Sequence, residues 1–244
     1  MNDSEIAELI AQLAHDDKPT LRAAVDALIP LAAEISLVRE TLLRRLLEAE
    51  RTEKWPIAYI LAHMPQPVQP AIQNLLDELD HRDPDIRWAI ALLLVRIAKD
   101  DRRLVNLLSE LCSAGTANQK RMAIYCLRNL MLIDSASLVV LLAALNDSDA
   151  SVRVAAVIAL KQRTDVDAKA KDRLLEVYLK DDDARVRNAA VITLASLGAP
   201  SEGFLTAVKQ NSASNDAQTR KAANAALELL KKRRSASIGS QSSR

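Results

Sequence analysis

Asp149-Ala150-Ser151-Val152-Arg153-Val154-Ala155-Ala156-Val157-Ile158-Ala159-Leu160 reads as a single helix with a marked start, and the chain returns to it with variations. Its clearest echo is Asp183-Ala184-Arg185-Val186-Arg187-Asn188-Ala189-Ala190-Val191-Ile192-Thr193-Leu194. Aligned on one basic residue, the copies fall at Arg22, Lys54, Arg87, Arg121, Arg153, Arg187 and Arg220, with separations of 32, 33, 34, 32, 34 and 33 residues. Such a period marks stacked helical hairpins, each of which buries its apolar side against the next. The spacing therefore predicts an all-α solenoid of about seven hairpins, each an outer helix, a turn and an inner helix carrying the aligned basic residue.

Composition agrees. Of 244 residues, 49% are hydrophobic and only 2% aromatic, with 4 glycines, a mix that favours helix over sheet. The formal net charge of +1 gives no overall electrostatic case for nucleic acid or an anionic membrane. No apolar run reaches the length of a spanning helix, and two cysteines, Cys112 and Cys126, make no disulfide framework. A soluble cytoplasmic protein is the expectation.

The repeats are expected at about 1–34, 35–66, 67–99, 100–133, 134–165, 166–199 and 200–233, as a single array followed by a disordered Ser-rich tail at 234–244. Asp83, Asp149, Asp183 and Asp216 each lie four residues before their Arg, where a carboxylate caps the first turn of a helix. Pro19 and Pro84 suit the first turn as well, and Pro56 should make the second inner helix start late. Pro65, Pro67 and Pro70 predict a stiff irregular joint, and Gly198-Ala199-Pro200 a helix stop.

The units Val152-Arg153-Val154-Ala155-Ala156 through Leu160, Val186-Arg187-Asn188-Ala189-Ala190 through Leu194, and Ile86-Arg87-Trp88-Ala89-Ile90 through Leu94 resemble the HEAT repeat, in the short form named after phycobilisome lyases. In repeats 2 and 4, Glu53-Lys54 and Lys120-Arg121 replace the Val-Arg pair. The resemblance covers nearly the whole chain. It implies a right-handed superhelix with the inner helices on the concave side. It also implies a ladder between neighbours, built from Arg22, Arg87, Arg121, Arg153, Arg187 and Arg220 with Asp83, Asp149, Asp183 and Asp216. What it implies of function is a scaffold, because the fold hosts many different partners.

With the aligned basic residue at zero and 100° per step, positions plus two, three, six and seven form a small aliphatic arc, the core. Plus one, four, five and eight form the opposite arc, which ought to be polar and is apolar in mid-chain: Trp55, Tyr59, Trp88, Leu92, Met122, Tyr125, Cys126, Val154 and Ile158 fall there. Four of the six aromatics lie on this arc of repeats 2 to 4. Three readings follow. These side chains line a groove for an apolar or amphipathic segment, with Trp55 and Trp88 as anchors, or they fill seams between inner helices, or they form a self-association surface.

His15, His63 and His81 lack metal-ligand spacing, and the chain has no phosphate loop, nucleophile elbow or Cys-x-x-Cys. Neither metal nor cofactor nor catalytic residue is expected. The basic residues Arg39, Arg44, Arg45 and Arg51 are interleaved with Glu40, Glu48 and Glu50, a solvated face, and Lys231-Lys232-Arg233-Arg234-Ser235 reads as a solubilising helix end. The expected function is a non-enzymatic adaptor holding a protein segment. The alternative is a phycobilin lyase-like or chaperone-like binder of a flat apolar ligand, and nucleic-acid binding ranks third.

Overall fold

A computed structural model describes residues 3–15, 17–48, 51–132, 134–198 and 201–241. Glu50, Ala199, Pro200 and the last three residues of the expected tail lie outside them. The chain is an α-solenoid of helical hairpins, with no strand among the described residues. It divides into two compact units, Met1–Leu104 and Val105–Arg244. A single array was expected, and the division falls past Pro65–Pro70, in the outer helix of repeat 4.

In the first unit the outer helices are α1 (Asp3–Ala11, extended by a 3-10 turn), α3 (Ser36–Glu48) and α5 (Gln69–Asp77, likewise extended), and the inner ones are α2 (Lys18–Glu34), α4 (Arg51–Leu61) and α6 (Pro84–Ala98). Helix α4 packs on α2, α3 and α5. In the second unit α7 (Arg102–Ala114), which begins at the end of the first, α9 (Ser135–Ala144), α11 (Ala168–Lys180) and α13 (Glu202–Asn211) are outer. The inner helices α8 (Ala117–Asn129), α10 (Ala150–Leu160), α12 (Ala184–Leu197) and α14 (Ala217–Gln241) pack side by side in that order, each neighbour on the next.

Two elements differ from expectation. Helix α4 starts at Arg51 with Pro56 inside it rather than in its first turn; Pro56 is buried, so packing offsets the intrahelical bond that its missing N–H cannot make. Helix α14 runs through Gln241, past the expected end at Arg233, since Ser235, Ala236 and Ser237 contain nothing that stops a helix. Gly198 ends α12 at φ 69°, the left-handed residue the sequence asked for.

The starts of the inner helices are built to one plan. Side chains of Asp17, Asp83, Asp149, Asp183 and Asp216 accept a backbone N–H of their first turn, and Thr116 does so within a reciprocal capping box with Gln119. The cap's own N–H donates to the side chain two residues earlier, His15, His81, Asp147, Asp181 or Ser214. Two of the three histidines are thereby turn acceptors.

These caps fix the repeat register independently of residue type. The N–H that closes the first turn onto the cap carbonyl belongs to Leu21, Arg87, Lys120, Arg153, Arg187 and Arg220. Lys54 falls midway between Leu21 and Arg87, so the repeat is 33 residues with a single step of 34. Alignment on Arg22 and Arg121 was thus off by one residue, a rotation of about 100°.

Candidate functional site: the inner helices

In the cap register, plus three is buried in all seven repeats: Ala24, Ile57, Ile90, Ala123, Ala156, Ala190 and Ala223. Plus seven is the leucine row Leu28, Leu61, Leu94, Leu127, Leu160 and Leu194, also buried, each worth about 1.5–3 kcal/mol against exposure. Plus four, expected on the open arc, is buried from Val25 to Val191; α2 packs on α4, and α8, α10 and α12 each pack on the next inner helix. Of the four positions expected to be open, only plus one and plus five stay so in all seven repeats. They are Arg22 and Asp26, Trp55 and Tyr59, Trp88 and Leu92, Arg121 and Tyr125, Val154 and Ile158, Asn188 and Ile192, and Lys221 and Ala225, half-buried or exposed without exception.

The expected site residues separate accordingly. Trp88 and Leu92 stand 47% and 49% exposed on α6, and Ile158 38% exposed on α10. Trp55, Tyr59, Tyr125 and Val154 are half-buried. Met122 and Cys126 do not line a groove: they are 7% and 0% exposed, at plus two and plus six of the corrected register, inside the core of the second unit. Burial pushes the Cys126 thiol well above its ordinary value and that of Cys112 up to about 12.

The ladder is also rebuilt. Arg87, Arg153, Arg187 and Arg220 fold back onto two carbonyls of their own turn, as in the bonds of Arg187 to Asp181 O at 2.7 Å and Asp182 O at 3.0 Å. Arg22 and Arg121, out of register, lie instead 3.9 Å from Asp26 and 3.2 Å from Asn118. In the second unit two ladder rungs join repeats, Lys120 to Asp147 and a two-pronged Arg153 to Asp181, so the acid involved lies two residues before the cap and not at it. Asp149, Asp183 and Asp216 serve as caps, while Asp83 caps α6 and also pairs with Lys18.

In the first unit the inner helices enclose an open cleft of about 400 Å³. Helix α4 supplies Trp55 and Tyr59, one turn apart on the same face. Leu21 and Val25 of α2 and Ile86 and Ala89 of α6 form apolar walls, and Lys18, Arg22, Asp26 and Asp85 the charged rim. Trp55 is held edge-on against His81, ring centroids 6.1 Å apart, and Tyr59 tilts against His63 at 4.7 Å. Burial raises the Tyr59 pKa and lowers that of His63. In the second unit the Arg128 guanidinium lies 4.9 Å from the Tyr125 ring centroid.

Sequence reasoning missed Arg22, Asp26 and Arg121 as inner-face residues, together with Lys18 and Asp85 at the cleft. The available signal was the Thr-x-x-Gln capping box at Thr116–Gln119, five residues before Arg121, and Asp17 five before Arg22. Among the described residues no group of three His, Cys, Asp or Glu is placed to hold a metal ion, and no helix is long and apolar enough to cross a membrane.

No curated protein matches the chain by sequence. Among solved structures it is similar to YibA of Escherichia coli, at 15% identity over 95% of this chain and 93% of that one, TM-score 0.54. It also matches a designed armadillo repeat protein at 18% identity over 92% and 99%, TM-score 0.44, and human deoxyhypusine hydroxylase at 16% over 93% and 96%, TM-score 0.43. A profile of HEAT repeats matches residues 72–161 and 138–228, together more than half of the chain. With hairpins of one cap design recurring every 33 or 34 residues, the chain belongs to the HEAT-repeat family.

Proposed function

We propose that this protein is a non-enzymatic scaffold that holds a segment of a partner protein against its inner helices. The observation that carries this reading is on α6, where Trp88 and Leu92 stand about half exposed at plus one and plus five while every plus-three neighbour is buried. Large apolar side chains held at solvent beside a preformed cleft are the composition of a binding hot spot, in which Trp is enriched. Trp55 and Tyr59 line the cleft next to them in sequence register; Tyr125, Val154 and Ile158 occupy the same positions in the second unit.

The test is affinity capture from native lysate with the wild type and with Trp88→Ala/Leu92→Ala side by side. Loss of specific partners by a variant with an unchanged melting temperature supports the reading, and an identical set of captured proteins sinks it.

One observation favours the alternative of a flat apolar ligand: the cleft lies within the roughly 300–1,000 Å³ range of small-molecule sites and carries two aromatic rings. Visible absorbance that co-purifies with the protein and is lost in Trp55→Ala would favour it. Nucleic acid fits this cleft poorly, because acids and bases alternate on its rim and offer no basic track.

A further inference from the structure

We infer that the inner face of the second unit holds an acidic protein segment with aliphatic residues spaced between its carboxylates. The inference rests on the segment-binding reading above and names the chemistry of the segment. Its first ground is the charge of the unit as a whole. Lys and Arg outnumber Asp and Glu by 20 to 14 in Val105–Arg244, whereas they are outnumbered by 18 to 13 in Met1–Leu104. A nearly neutral chain is thus made of an acidic unit and a basic one, and the basic one attracts anions.

The second ground is where the charges stand. Helices α8, α10 and α12 contain no Asp or Glu, and Glu228 of α14 is paired with Lys231 at 2.8 Å. In the turns before these helices Asp147 and Asp181 belong to the ladder and Asp183 pairs with Arg185. Asp149 and Asp216 are held by first-turn N–H groups, with Arg121 and Arg187 in electrostatic reach. Past the inner helices Asp165 pairs with Arg163, and Asp134 and Asp167 cap outer helices. The open rows themselves carry cations. Lys161 and Lys221 are exposed and make no ion pair among the described residues. Arg128 lies over the Tyr125 ring and Arg121 donates to the neutral Asn118 amide, so neither is in a short ion pair.

The third ground is the pattern. Plus one, plus five and plus eight fall within about 60° of one another around a helix. Tyr125 therefore shares a face with Arg121 and Arg128, and Val154 and Ile158 share one with Lys161. Ile192 continues the apolar row on α12. Packed helices lie about 8–10 Å apart, the reach of roughly three extended residues, so a segment with one aliphatic residue in three and acids between them matches the face. A nucleic-acid strand finds less to hold: in this unit plus one and plus five offer one ring, Tyr125, and Arg128 already lies over it.

The experiment uses the full chain and calorimetry with acetyl-Leu-Glu-Glu-Leu-Glu-Glu-Leu-Glu-Glu-amide, its counterparts with Lys for Glu and with Ser for Leu, and a single strand of nine thymidylates. The Leu-Glu-Glu peptide should bind, and each counterpart at least about tenfold more weakly, one for lost ion pairs and the other for lost apolar contact. Lys161→Gln/Lys221→Gln removes two exposed charges without an internal partner. It should leave the melting temperature unchanged and weaken the Leu-Glu-Glu peptide about three- to tenfold. An equal or tighter Leu-Lys-Lys peptide overturns the acidic selectivity and leaves segment binding standing. A Leu-Glu-Glu affinity unchanged in the double variant, a thymidylate strand that binds more tightly than the peptide, or no binding by any probe overturns the inference. The capture experiment with Trp88→Ala/Leu92→Ala, on the first unit, tests the underlying reading separately.

Discussion

Lys120 Nζ lies 2.8 Å from Asp147 Oδ2, and this pair joins repeat 4 to repeat 5 in the same way that Arg153 joins Asp181. Both partners are largely shielded, with side chains 20% and 11% exposed. Removing the ammonium leaves a carboxylate partly desolvated. Lys120→Ala should therefore cost about 1–3 kcal/mol in urea unfolding, whereas Arg121→Ala, the neighbour that the repeat pattern marks as structural, should stay within about 0.5 kcal/mol. Equal losses for the two variants would refute the register set by the caps.

Trp88 and Trp55 should behave differently although both occupy plus one. Trp88→Ala removes a side chain that is 47% exposed and should shift stability by less than about 1 kcal/mol. Trp55 is half-buried and packed on His81, so Trp55→Ala should cost about 2 kcal/mol or more. Thermal melts followed by circular dichroism separate the two, and a Trp88→Ala loss as large as that of Trp55→Ala would place Trp88 in the core.

Met131 follows α8 with φ 50°, the left-handed region, and its side chain is 73% exposed. Holding an L-residue there costs about 1–2 kcal/mol, and little packing would be lost on truncation. Met131→Gly should raise stability by about 0.5–1 kcal/mol net of glycine's greater unfolded entropy. A lower melting temperature would show that the methionine side chain contributes packing that its exposure conceals.

The Asp caps set an acid limit. The Ser151 hydroxyl and N–H hold the Asp149 carboxyl below its usual value, Thr219 does the same for Asp216, and Arg185 with its own N–H takes Asp183 down to about 2. A carboxyl with a folded pKa below its unfolded pKa stabilises the fold above the unfolded value, near 4, and loses that contribution as pH falls toward the folded one. The melting temperature should thus be flat from pH 7 to about 5 and fall between about pH 4 and 2. Asp183→Asn keeps a capping acceptor that does not titrate, so its melting temperature should fall less over that window. A wild type and variant with parallel acid curves would count against the caps as the cause.

Cys112 and Cys126 are both buried thiols with raised pKa values, so neither should react with iodoacetamide at pH 8 in the folded protein. Both should label in denaturant, as mass spectrometry would show. Labelling of Cys126 in the native state would return it to the open face.

Read alone, the sequence determined the fold, because a period near 33 and the caps at Asp83, Asp149, Asp183 and Asp216 are local facts that survive substitution elsewhere. Boundaries such as Pro84–Ala98, Ala168–Lys180 and Ala184–Leu197 follow from the same signals. Tertiary structure decided which faces are open. Lys120 and Arg121 both supply a basic residue at the repeat position, and the Thr116 cap and the partner Asp147 choose Lys120, a step that moves Met122 and Cys126 from the open arc into the core and brings Arg121 onto the open face beside Tyr125. Likewise, plus four faces solvent on an isolated helix, but it is buried on α8, α10 and α12, where inner helices pack side by side. Periodicity measures angles within one helix, and burial depends on where its neighbours stand. Trp88 and Leu92 remain about half exposed, because plus one and plus five point away from the rows at plus three and plus seven that form the core.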